Sequence, residues 1–390
     1  MNTNFDEVIN RFGTNCAKWD GLVSEYGQEV IPLSVADMDL RAPQAIVNET
    51  VRMAQHGIYG YTELYPPYYE AVQRWMKRAY KWDIPQDWIV FSPRIVQAVS
   101  IILQKFTEIG DLVLMHSPAY QPIAKSITEN GRELVESPLI YRNGRYEMNF
   151  EDMELSMQKG VKILLLVSPH NPTGRVWTGT DLTRIAELCM KYDVLIVSDD
   201  VHADFIRPGH EHTVIAKLSE EIAQRSIICT SPSKTFNLAS LEISNIIIPN
   251  EKLRAIFKNG LIEAGIHNPT FFAVPICETA YTECDGWLEE LKLYIEENID
   301  YVKEFFTEHF PDLKIVESEG TYLLWVDCTS FDQKDERLKR WLLDESKVSV
   351  SMGTSFGQQG EGFIRLNVAT SRVTLEEALQ RMAATYHSVK

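Results

Sequence analysis

Residues 161–202 read VKILLLVSPHNPTGRVWTGTDLTRIAELCMKYDVLIVSDDVH. Val161–Val167 is a short apolar run, broken only by Lys162, and suits a strand buried on both faces. It stops at Ser168-Pro169. Thr180 or Asp181 can cap a following helix, in which Leu182, Ile185, Ala186 and Cys189 share one face. Val194–Val197 is a second apolar run, and it stops at Ser198-Asp199. Strand, helix, strand predicts parallel pairing with a crossover helix.

The pattern extends outward. Asp111–His116 (DLVLMH) stops at Ser117-Pro118, and Ser226–Cys229 (SIIC) stops at Thr230-Ser231. Ile246–Ile248 follows Ser244-Asn245. The expected class is α/β, with a mostly parallel sheet. The last hundred residues differ. Trp287–Phe310 reads as a long helix, Gly320–Asp327 and Gly362–Asn367 as strands, and Leu375–Tyr386 as a final helix. These predict a smaller α+β domain. The expected division is a segment 1–45 packing with the small domain, a large domain 46–284 and a small domain 285–390.

Composition narrows the function. The 390 residues carry a formal charge of −17, which disfavours nucleic acid or an anionic membrane as partner. The start, MNTNFDEVINRFGTN, lacks the basic and apolar pattern of a secretory signal. No stretch approaches the ~20 apolar residues of a membrane helix. The six cysteines are dispersed without a CxxC pair, which suits reduced thiols in a cytoplasmic protein and not a zinc site.

Polar clusters follow each apolar run, at the sheet edge where ligands bind in open parallel sheets. Lys234, in Ser231-Pro232-Ser233-Lys234, can form an imine with a carbonyl cofactor once burial or positive charge depresses its pKa. Ser231 and Ser233 can donate to a phosphate. Asp199 can hold a pyridine nitrogen in its protonated state, with His202 three residues on. Asn171, in a turn stiffened by Pro169 and Pro172, can bond a phenolic oxygen. Each has an ordinary alternative: a solvated lysine, a helix N-cap, a surface histidine or turn.

Taken together, HNPTGRVW, SDDVH and SPSKTFNLASL resemble the fold-type I pyridoxal-phosphate enzymes, the aspartate aminotransferase superfamily. More narrowly they are similar to its MalY/PatB-like cystathionine β-lyase (carbon–sulfur lyase) branch. Ala36-Asp37-Met38-Asp39, Tyr59-Gly60-Tyr61, Ser117-Pro118-Ala119-Tyr120 and Phe363-Ile364-Arg365-Leu366-Asn367 extend the resemblance over nearly the whole chain.

The resemblance implies a seven-stranded, mostly parallel sheet between helices and bound pyridoxal 5'-phosphate. Lys234 would hold the cofactor as a Schiff base, and Asp199 would face its ring nitrogen. Asn171 and His202 would lie near its phenolic oxygen, and Tyr120 would stack on the ring. Ser231, Ser233 and the backbone of Ile95 and Val96 would form the phosphate pocket. Tyr61 would reach the cofactor of a neighbouring subunit, implying a homodimer with shared sites. Arg365, with Asn171 and Asp37, would bind the amino-acid substrate. Arg94 and Ser240 stand where glycines are usual, and Asp200 where glutamate is usual. The implied reaction is carbon–sulfur β-elimination. An aminotransferase and a cofactor-binding regulatory protein remain the alternatives.

Overall fold

The computed structural model describes residues 3–331 and 334–389. Its strands are β1 (Ile31–Pro32), β2 (Ile89–Ser92), β3 (Leu112–Ser117), β4 (Glu133–Pro138), β5 (Ile140–Arg142), β6 (Arg145–Glu147), β7 (Ile163–Val167) and β8 (Leu195–Asp199). After these come β9 (Ser226–Thr230), β10 (Ser244–Ile247), β11 (Lys314–Ile315), β12 (Leu323–Asp327), β13 (Val348–Ser349), β14 (Ser351–Met352) and β15 (Phe363–Asn367).

Seven of them form one sheet in the order β2-β10-β9-β8-β7-β3-β4. Only β10 runs against the others: it is antiparallel to both β2 and β9, so β2 runs with β9. The apolar runs are continuous because both faces are covered. On β7, Ile163, Leu165 and Val167 enter one apolar cluster, and Leu164 and Leu166 enter the other. A strand's side chains alternate between faces, so two buried faces need apolar residues at every position. Each such side chain contributes about 1.5–3 kcal/mol on burial.

The helix after β7 spans Gly179–Lys191 and buries Leu182, Ile185, Ala186 and Cys189, the predicted face. Its cap is neither Thr180 nor Asp181. Thr178 caps it, accepting from the Asp181 backbone, while the Asp181 carboxylate accepts from the Thr178 backbone. This reciprocal pair needs the acidic residue at the third helical position, which places the cap two residues before Thr180 and three before Asp181.

A second sheet, β11-β12-β15-β14, holds the C-terminal strands. β12 starts at Leu323 and not at Gly320, because Thr321 takes a left-handed conformation (φ 68°). The helix Asp285–His309 borders this region, and Arg372–Val389 closes the chain. From the N-terminal segment, β1 pairs in parallel with β13, and the chain then runs on as the loop Ser34–Leu40. No helix of the described residues is long and apolar enough to cross a membrane.

Candidate active site

The parallel strands share one carboxyl edge, and it presents most of the expected residues. β2 leads to Arg94 and the helix Ile95–Phe106. β9 leads to Ser231 and Lys234, β8 ends in Asp199, β7 leads to Asn171, and β3 leads to Tyr120.

Lys234 sits in a single helical turn, Pro232–Thr235, capped by Ser231. The Ser231 hydroxyl accepts from the Ser233 backbone (3.1 Å) and donates to the Ile243 carbonyl (2.6 Å). The two serine hydroxyls lie 2.7 Å apart. The Lys234 amine donates to the Ala36 carbonyl at 2.6 Å. Burial, then the positive charge of Arg365, pull its pKa down to about 8, against the opposing pull of Asp37 and Asp199. A usable fraction of the amine is therefore neutral near physiological pH.

Asp199 is buried, and burial pushes its pKa up to about 7. Neighbouring Asp200 pushes in the same direction, while a bond from the Val201 backbone (3.2 Å) and the Lys234 charge oppose it. Asp200 is held by Ser198 Oγ at 2.5 Å and His212 Nε2 at 3.0 Å. His202 is buried, with Nδ1 unpartnered among the described residues. Burial, then Lys234 and Arg365, keep its ring neutral.

Arg365 lies mid-strand on β15, opposite Trp325 and Ser351. Its guanidinium donates to Asn171 Oδ1 (2.9 Å), the Ser34 carbonyl (2.9 Å) and Ser351 Oγ (3.2 Å). It stacks over Phe356 at 4.7 Å, and its buried Nε has no partner among the described residues. Burial lowers its pKa to about 10, so it stays cationic at neutral pH. Tyr120 feels both Asp199 and Arg365, and burial holds its hydroxyl in the protonated form.

Ile95 and Val96 open the helix Ile95–Phe106, whose N-terminus has no side-chain cap. That leaves backbone N–H groups for an anion at the same edge as Ser231. Arg94 turns away and pairs with Glu242. Ser240 lies exposed in the short turn Ala239–Leu241. Asp37 faces Lys234 electrostatically, but its carboxylate is engaged by Arg11 at 2.6 Å. Tyr61 is not gathered by the chain's own fold: it is fully exposed, beside exposed Ile58, Tyr59 and Tyr65.

Other residues at the site were not marked in the sequence. Tyr322 donates to the same Ala36 oxygen that receives Lys234, at 3.0 Å. It sat unnoticed inside an apolar run. Asn237 accepts from the Met38 backbone N–H and donates to the Met38 and Leu40 carbonyls, all at 3.0 Å. Asn367 donates to the carbonyls of Val35 and Asp37, both at 2.7 Å. Both asparagines lie within quoted motifs, yet their partners are distant in sequence. Glu319 ties the Asn171 turn to the Tyr322 segment by accepting from the Val176 backbone (2.9 Å) and pairing with Arg175 and Arg145. Gly174 allows this contact: its φ is 72°, and a Cβ there would lie 2.9 Å from Ser318 Oγ.

The site therefore combines a depressed amine, a buried carboxylate, a buried guanidinium and an uncapped helix start. Similar proteins carry the same architecture. Cystathionine beta-lyase PatB of Bacillus subtilis is 39% identical over 98% of this chain and 99% of its own. A PLP-bound putative aminotransferase from Clostridium difficile 630 superposes with a TM-score of 0.95 at 36% identity, covering 98% of this chain and 99% of that one. A PLP-bound C-S lyase from Staphylococcus hominis gives 0.92 at 31% identity, covering 98% of each chain. Residues 28–382 match the family model described as aminotransferase class I and II. The chain belongs to the class I and II aminotransferase family.

Proposed function

We propose that this chain is a pyridoxal-phosphate-dependent carbon–sulfur β-lyase. It cleaves cystathionine- or cysteine-type amino acids to a thiol, pyruvate and ammonia. One observation carries the reading: the buried Lys234 amine, held by the Ala36 carbonyl, interacts electrostatically with both Asp199 and Arg365.

The residues suit the cofactor. Asp199 at a raised pKa needs a cationic partner to remain ionised, and a protonated ring nitrogen is one. The free N–H groups at Ile95 and Val96, with the Ser233 hydroxyl, suit a phosphate, while Ser231, whose proton goes to the Ile243 carbonyl, caps the turn that carries Ser233. Unpartnered His202 Nδ1 and the Asn171 amide suit a phenolic oxygen, and Tyr120 suits a ring face. When bound, the cofactor supplies an aldehyde that condenses with amines and a ring that spreads negative charge.

Arg365 holds the substrate carboxylate in a two-point grip. Lys234, as a neutral amine, removes the Cα proton. Asp199 stays ionised and keeps the ring nitrogen protonated while charge builds at Cα. The thiolate then departs from Cβ, and water completes the conversion to pyruvate and ammonia. The 39% identity to a cystathionine beta-lyase favours elimination over amino transfer.

The active unit in this reading is a cytoplasmic homodimer. The exposed Tyr61 segment packs on a second copy and brings Tyr61 to that copy's phosphate pocket. Residues 46–284 form the large domain and 285–390 the small one, with residues 1–45 packed on the latter.

Cystathionine and purified holoenzyme, without any keto acid, test the reaction. Release of pyruvate and homocysteine is expected. An absolute requirement for 2-oxoglutarate would replace the lyase with an aminotransferase.

A further inference from the structure

Lys18 is fully buried, an unusual state for an ammonium group. Its Nζ lies 2.6 Å from Asp39 and 3.8 Å from Asp37, and donates to the Asp37 carbonyl at 3.3 Å. Arg11 closes the cluster at 2.6 Å from each carboxylate. Trp19 Nε1 donates to Asp39 at 2.8 Å. Two cations and two anions balance, which is what makes their burial tolerable.

The cluster sits on the loop whose carbonyls touch the chemistry. Ala36 O receives Lys234, and Ser34 O receives Arg365. We infer that Lys18 is a positioning residue: through Asp39 and Asp37 it fixes the Ser34–Asp39 backbone that aims Lys234 and Arg365. This rests on the lysine-centred reading above. The groups facing the Lys234 amine are Arg365, Asp37 and Asp199, with His202 and Tyr322 beside them. Lys18 is not among these groups; it acts on Asp37, the carboxylate that does face the amine.

Three variants of the full chain test it: Lys18→Met, Asp39→Asn and the two combined. In the cofactor-free protein, the pH dependence of Lys234 acetylation, read by peptide mass, gives the amine's midpoint. In the holoenzyme, the KM for L-cysteine reads how Arg365 is aimed. Lys18→Met leaves a surplus negative charge and moves the midpoint up by about half a pH unit. Asp39→Asn leaves a surplus positive charge and moves it down. The double variant restores balance and returns the midpoint close to wild type.

KM rises about tenfold in Lys18→Met, through misaim of a charged bond worth ~1.5 kcal/mol. It recovers in part in the double variant. Midpoint shifts of the same sign in both single variants, or no shift with unchanged KM, would overturn the inference. If Lys18→Met does not fold, the downward shift in Asp39→Asn decides alone. Wild-type protein that neither binds pyridoxal phosphate nor eliminates thiol would instead overturn the lysine-centred reading.

Discussion

Two regions meet at Lys234, and they are built by different rules. The carboxyl edge of the seven-stranded sheet holds its groups locally. Ser231 caps the very turn that carries Lys234, and Asp199 accepts from the backbone two residues on. The Ser34–Leu40 loop has no such internal order. Its shape is imposed from outside: by Asn237, Asn367, Arg365 and Tyr322, about 200 to 330 residues away, and by Arg11 and Lys18 on the N-terminal segment. The first region presents side chains to a ligand, and the second presents backbone carbonyls to the first. Perturbing the edge should therefore cost chemistry, and perturbing the loop should cost aim.

Lys234→Ala breaks the edge most severely. On the proposed mechanism it removes the proton-moving group, and a loss on the order of 10³-fold in kcat is expected from general acid–base magnitudes. Pyruvate release from cystathionine measures it. Turnover within tenfold of wild type would move the base elsewhere.

Asp199→Asn comes next, with about 10²-fold lower kcat, because charge at Cα loses its electrostatic support. The same residue makes an opposite prediction for stability. An acid whose folded pKa exceeds its unfolded value costs stability once pH rises above the unfolded value, and fully so above the folded one. Asp199 goes from 3.8 to about 7. In the cofactor-free chain, Asp199→Asn should then raise Tm by about 2–4 °C at pH 8 and leave it unchanged at pH 4. Cofactor affinity of the wild type should fall as pH drops through 7. A lower Tm at pH 8 would mean that the carboxylate is structurally paired, and the edge would lose its claim to be chemical.

The edge was legible in sequence for the reason that makes it local. Apolar runs stop at Ser117, Ser168, Ser198 and Thr230, and the polar residues just beyond face the site. The loop was not legible. Asp37 reads in sequence as a substrate contact, and nothing there shows that Arg11 and Lys18 pair with its carboxylate. Tyr322 looked like one more residue of a strand. Lys18 carried no signal at all, because nothing in TNCAKWD reports that its ammonium is buried against Asp39. The Thr178 cap was missed more narrowly: its partner Asp181 was noticed, but the helix begins at Gly179.

Arg365→Lys tests the seam between the regions. A lysine keeps the charge but cannot bond Asn171 and Ser34 while gripping a carboxylate at two points. A KM about 10–30-fold higher is expected, with kcat down less than threefold, from the loss of one charge-assisted bond. Steady-state kinetics with L-cysteine separates the two. A kcat defect larger than the KM defect would place Arg365 in the chemistry of the edge.

Tyr322→Phe should have the smallest effect and discriminates most finely. Burial, then Asp37, hold its pKa far above the working range, so the hydroxyl is a donor and never a base. Its acceptor, Ala36 O, is also the acceptor for Lys234. Deleting the hydroxyl leaves that oxygen with one donor, so nothing is orphaned, and the amine is bound a little more firmly. A net hydrogen bond is worth about 1 kcal/mol, which corresponds to about a fivefold loss in kcat with KM unchanged. The pH profile should keep its shape, since no titrating group has been removed. A loss beyond 100-fold, or the disappearance of one limb of the profile, would show Tyr322 exchanging protons with the reacting atoms. The loop side would then hold a catalytic residue of its own, and the division between chemistry and aim would fail.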